Sequence, residues 1–131
     1  MTPISYFIAV FGEPNRPGKD PVESGTYTPD PSFAPFSTEP GDIMLLYCTA
    51  KYSGFEKVVP GLGLVTGSNN QLVHYKYIPF KTPIPKSVLD TNLEPNDRVS
   101  FGRIHLPKYW LFKISRKSFS AIVAGYDISW P

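Results

Sequence analysis

Residues 41–67 constrain the fold more than any other stretch. Within them, Ile43-Met-Leu-Leu-Tyr-Cys48 is apolar throughout and follows Pro40-Gly41-Asp42. A run this short does not make an ordinary helix, and a run with no polar position has no face to give to water. It predicts a strand buried on both sides, held inside a sheet or barrel. The run that follows, Gly61 to Thr66, alternates glycine with Leu62 and Leu64. Glycine weakens a strand, so its presence there signals a bend or the close approach of another backbone or a ligand. Between the two runs, Tyr52-Ser-Gly-Phe55 reads as an aromatic-tipped hairpin. Together these residues predict the central hairpin of a small β-barrel with a pocket at its mouth.

The rest of the chain is read against that hairpin. Fifteen prolines among 131 residues leave little room for long helices, since each costs about 3 kcal/mol inside one. The length suits one domain spanning residues 1–131, with an α+β, mainly β fold and a few short helices. Residues 4–11 form the first strand, apolar on both alternating faces. Residues 12–40 form a long loop with Tyr27, Phe33 and Phe36, rings that either pin the loop to the core or line a ligand pocket. Residues 71–80 form a strand with Val73, Tyr75 and Tyr77 inward and His74 and Lys76 outward. Pro79, Pro83 and Pro85 are expected to break it. A helical turn at 87–92 and a strand at 96–105, with Gly102 in its middle, come next. In residues 108–114, Trp110, Phe112 and Ile114 share one face of a further strand. Ser115 is placed to cap a helix carrying Phe119, Ile122 and Val123, with Gly125 as its stop, covering one end of the barrel.

Cys48 is the single cysteine, so the sequence offers neither a disulfide framework nor a cysteine metal site. The motifs of serine hydrolases, P-loop proteins, zinc proteases and thiol redox proteins are not found, and the acidic residues fall mostly in loops, where solvation accounts for them. The expectation is a non-enzymatic domain without a cofactor. No run reads as a signal peptide or a membrane span, which predicts a soluble, intracellular, cytoplasmic protein with no membrane partner. The net charge is only +2, so a basic surface would have to be local. Two stretches offer one: Lys51-Tyr52-Ser-Gly-Phe55-Glu-Lys57, and residues 103–117, where Arg103, Lys108, Lys113, Arg116 and Lys117 surround His105, Tyr109 and Trp110 without an acid. Aromatic rings stack on bases and cations neutralise phosphates.

The order of these elements resembles the YTH and EVE domains of the PUA-like superfamily over most of the chain. The strand Tyr6-Phe-Ile-Ala-Val10 is followed by Gly25-Thr-Tyr27-Thr28, with Tyr where YTH domains have Trp. Ile43 to Cys48, Ser53-Gly54-Phe55 and Gly61-Leu-Gly-Leu-Val65 follow in the family's order, as do the strand from Val73 to Pro79 and Val99-Ser-Phe-Gly-Arg103. Pro40-Gly41-Asp42 is similar to the lead-in of EVE domains. For the family's second cage Trp, the strand here offers Tyr75 and Tyr77.

The resemblance implies a small PUA-like β-barrel that reads a flipped, methylated base, N6-methyladenine foremost. It also implies a likeness to the N-terminal DNA-reading modules of modification-dependent restriction systems, with a fused AAA+ GTPase motor and a partner nuclease. On this reading Tyr27 and Thr28, with Tyr47, Phe11, Asn15, Tyr75 and Tyr77, line the base pocket. Arg103, Lys51, Lys108 and Arg116 hold the nucleic-acid backbone, and Tyr52 and Phe55 wedge the duplex. DNA is the favoured partner. A methylated-RNA reader, an ASCH-like small-molecule hydrolase using Thr49, Lys51 and Glu56, and a protein-interaction module are the rival readings.

Overall fold

The computed structural model describes residues 3–12, 21–28, 38–49, 55–69 and 72–128. Six strands, β1 (Tyr6–Phe11), β2 (Thr26–Tyr27), β3 (Ile43–Cys48), β4 (Val58–Asn69), β5 (Leu72–Pro85) and β6 (Leu111–Ile114), form one sheet in the order β2-β5-β4-β3-β1-β6. Three helices complete the order: α1 (Lys86–Asn92), α2 (Pro95–Gly102) and α3 (Arg116–Val123). The fold is α+β and mainly β, and the sheet curls into a half-barrel.

β3 lies where its sequence requires. All six of its residues are buried. It pairs in parallel with β1 and antiparallel with β4. Because side chains alternate across a strand, Met44, Leu46 and Cys48 join Phe7, Ala9 and Phe11 in one core. Ile43, Leu45 and Tyr47 join Ile8 and Val10 in another. The first core fills the concave side of the sheet. The second is covered by Leu89, Phe101, Phe119 and Ile122 from the three helices.

The glycines of β4 make room for tyrosines of β5. A Cβ at Gly63 would stand 2.8 Å from Tyr75 Cδ2, and one at Gly61 would stand 2.7 Å from Tyr77 Cε1 and 2.5 Å from the Ile78 carbonyl oxygen. The close approach signalled by these glycines is thus that of the neighbouring strand and its rings. β5 continues through its prolines to Pro85, past the expected break. Among the described residues, β2 pairs with Val73 and His74 and Ile128 bridges Phe80, so no strand is paired along that edge at Pro79 or Pro83, and proline is tolerated on such an edge.

Two carboxylates act as fasteners. Asp42 is buried, and it accepts the N–H of Ser5 at 3.0 Å and of Glu39 at 2.9 Å. The Pro-Gly-Asp motif therefore ties the segment before β1 to the start of β3, with Gly41 at a positive φ of 97°. Asp97 accepts the Ser115 N–H at 3.0 Å and the Ser118 hydroxyl at 2.7 Å, and Ser118 Oγ in turn accepts the Glu94 N–H at 2.8 Å. Solvation alone does not describe Asp97, since it binds the start of α2 to the start of α3. Ser115 caps α3 as expected, accepting the Ser118 N–H at 3.0 Å, and Gly125 follows with a φ of +85°.

One element differs in kind from the sequence expectation. Within residues 96–105, Pro95–Gly102 is a helix, not a strand. Val99 and Phe101 alternate, but Pro95 occupies the first helical turn, where its missing N–H costs nothing. Phe101 is the buried anchor, its ring set edge-on to Tyr47 at 5.0 Å between centroids. The loop 12–40 also contains β2 and a 3-10 turn, Val22–Ser24. We expect Gly61→Ala and Gly63→Ala to destabilise the fold by about 1–3 kcal/mol. Gly61→Ala should be the worse, because its obstacle includes a backbone carbonyl. Urea denaturation of both variants would check the order.

Candidate functional site

Tyr27 sits at one edge of the sheet, on β2, and reaches the other edge. It is fully buried. Its hydroxyl lies 2.7 Å from the Trp110 carbonyl oxygen and 3.0 Å from that of Val10, sharing one proton between two acceptors. Burial pushes the Tyr27 hydroxyl above its ordinary pKa, with the Val10 hydrogen bond opposing that shift. Phe11 packs on its ring at 4.8 Å between centroids and is fully buried too. The Tyr75 hydroxyl donates to the Val22 carbonyl, and its ring lies in the same concave core.

The structure thus brings Tyr27, Phe11 and Tyr75 together as packing. Tyr47 is on the opposite, helix-covered side, so it cannot share one pocket with them. Burial, and then the charge of Asp90, push the Tyr47 hydroxyl up to about 12. Thr28 and Tyr77 are half-buried, and Tyr77 packs against the rim of the concave core beside half-buried Phe55. Phe55 is therefore held against the core and is not a free tip. Asn15, Lys51 and Tyr52 lie outside the described residues.

Of the residues expected to hold phosphates, Arg103 and Lys108 converge. Arg103 Nη1 donates to the Tyr109 hydroxyl at 3.2 Å, and the Lys108 ammonium lies 5.1 Å from the Tyr109 ring centroid. The hydrogen bond from Arg103, reinforced by the charge of Lys108, lowers the Tyr109 pKa below its ordinary value. Arg116 is exposed at the start of α3, with Lys117 beside it. From residue 98 to residue 126 the chain carries Arg98, Arg103, Lys108, Lys113, Arg116 and Lys117 and no acid. Cations in the first turn of α3 run against the helix dipole, so helix stability does not explain their position.

Tyr109 joins two site cations and is not among the expected site residues, although it directly follows Lys108 in the chain. Directly after it, the indole Nε1 of buried Trp110 is the one buried side-chain donor among the described residues with no hydrogen-bond partner. An unmade bond of that kind costs about 1–3 kcal/mol.

Other chemistry has less support. Cys48 is buried, and burial pushes its thiol up to about 12, which keeps it unreactive. Thr49 is buried while Glu56 is exposed, and Lys51 lies outside the described residues. Among the described residues no three His, Cys, Asp or Glu side chains group so as to hold a metal ion, and no helix is long and apolar enough to cross a membrane. A shallow cleft of about 280 Å³ opens beside Glu94, Pro95, Asn96, Asp97 and Ser115, but Asp97 is already engaged there in capping. No protein-family model and no curated protein matches the chain.

The described geometry can therefore do two things: bind an anion at Arg103 and Lys108, and present the ring of Tyr109 beside it. We expect Tyr27→Phe to lower the unfolding free energy by about 1–3 kcal/mol, because it leaves buried carbonyls short of a donor; urea denaturation with an unchanged m-value would check this. In a phenolate absorbance titration, Tyr109 should ionise below the ordinary tyrosine range, as seen by difference against Tyr109→Phe. Arg103→Ala should move that ionisation back up.

Proposed function

We propose that this chain is a nucleic-acid-binding module, resembling YTH and EVE domains, that reads a flipped, methylated base in DNA as the specificity element of a modification-dependent restriction system. The observation that carries the proposal is the grouping of exposed Arg103 and Lys108 about half-buried Tyr109, within an acid-free stretch of six cations. The half-barrel and the parallel pairing of β1 with β3 are consistent with the fold that the resemblance implies. Arg103 and Lys108 bind phosphates, and the Tyr109 ring lies against sugar or base.

The burial of Tyr27, Phe11 and Tyr75 moves the base away from the middle of the concave core. Tyr77 and Phe55 are half-buried where they pack against that core. No catalytic group is assigned to the domain, and the cutting activity of such a system belongs to a fused motor and its nuclease partner.

The test is a binding panel of plain, N6-methyladenine and 5-methylcytosine oligonucleotides, single- and double-stranded, in DNA and RNA. Preference for methylated DNA supports the reading, and no binding to any member at low salt overturns it. Arg103→Ala and Lys108→Ala should each weaken binding to modified and plain DNA alike. Each should reduce the slope of log K against log salt by about 1.

A further inference from the structure

The segment between α2 and β6 has a second property that phosphate binding does not use. Leu106 is 40% exposed, and it stands between Arg103 and Lys108 in the chain. Three large hydrophobic residues are exposed among the described residues, namely Ile4, Val99 and Leu106. Only Leu106 has a cation within three residues on both sides.

The segment is also rigidly built. The Leu106 N–H donates to the Arg103 carbonyl at 2.8 Å, and the Tyr109 N–H donates to the Leu106 carbonyl at 2.9 Å. The Arg103 side chain closes the turn by its bond to the Tyr109 hydroxyl. Below it, α2 is held by Asp97 to α3 and by Phe101 to Tyr47. A leucine whose backbone is held in such a turn has part of its conformational cost met before any partner arrives.

Resting on the reading of the chain as a nucleic-acid binder, we propose that residues 103–109 form the element that enters a DNA duplex, with Leu106 as the apolar wedge between base steps and Arg103 and Lys108 gripping the flanking phosphates. Apolar side chains flanked by cations unstack duplex steps in this way, and an opened step is what a base must pass through to leave the stack. The partner is therefore double-stranded DNA, and the wedge role moves from Tyr52 and Phe55 to Leu106.

The experiment uses the full chain and a short duplex carrying one N6-methyladenine with 2-aminopurine beside it, together with the matching single strand. Wild type should raise the 2-aminopurine fluorescence of the duplex. Leu106→Ser should abolish that rise and weaken duplex binding about tenfold, while single-strand binding stays within about twofold. Leu106→Phe, still bulky and apolar, should keep the rise. Because Leu106 is exposed, thermal unfolding should be nearly unchanged in both variants. Equal losses on duplex and single strand, or no loss on either, would overturn the wedge and leave the nucleic-acid reading standing. Binding to single strands alone would do the same. Failure of wild type to bind either strand, with binding to phosphatidylserine vesicles instead, would overturn both readings.

Discussion

The fold depends on one tyrosine hydroxyl. Tyr27 lies on a strand of only two residues at one edge of the sheet, yet its side chain reaches the Val10 and Trp110 carbonyls near the other edge. A twisted sheet with two free edges leaves open how far it curls. A buried hydrogen bond across the hollow sets that distance, because separating the edges would leave a donor and its acceptors unpaired in an apolar interior. The Tyr75 hydroxyl repeats the device by holding the turn at Val22. The glycines of β4 serve the same closure, since larger residues at Gly61 and Gly63 would push the tyrosine rings of β5 out of the hollow.

Closing the hollow with side chains has a consequence for recognition. The tyrosines that a base-binding cage would use are already employed in sealing the concave core. On the proposed reading, recognition is left to the outer turn between α2 and β6. That turn gets its rigidity from a polar network at its base, where Asp97 and Ser118 join two helix starts. The three short helices gain little from their own sequences, as expected for helices of seven or eight residues, and packing on the sheet holds them in place.

Much of the fold could be read from the chain because its signals were local. The unbroken apolarity of β3, the capping Ser115 and the Gly125 stop each express a constraint satisfied within a few residues. Pro79 and Pro83 misled for a physical reason: proline is tolerated at an edge or a bulge, and among the described residues β2 pairs no further along β5 than His74, while the β4 ladder shifts register beside Pro79. The helix at Pro95–Gly102 was ambiguous because Phe101 is its single buried anchor. One apolar position carries no period, so the ring of Tyr47 decided where a local pattern could not.

For the site, the sequence by itself determined composition and proximity along the chain: an acid-free basic stretch, its embedded aromatics, and a Tyr27 set in a long, proline-rich loop. Arg103, Lys108 and Tyr109 could be found in this way because they are six residues apart and meet across one turn. Only the tertiary structure decided which aromatics are available. Tyr27 meets Val10 and Trp110 across 17 and 83 residues of chain respectively, and Tyr47 and Tyr75 fall on opposite faces of one sheet. Whether a ring faces water or a core depends on how the sheet curls. That curl follows from contacts between residues far apart in the chain, which no local pattern records.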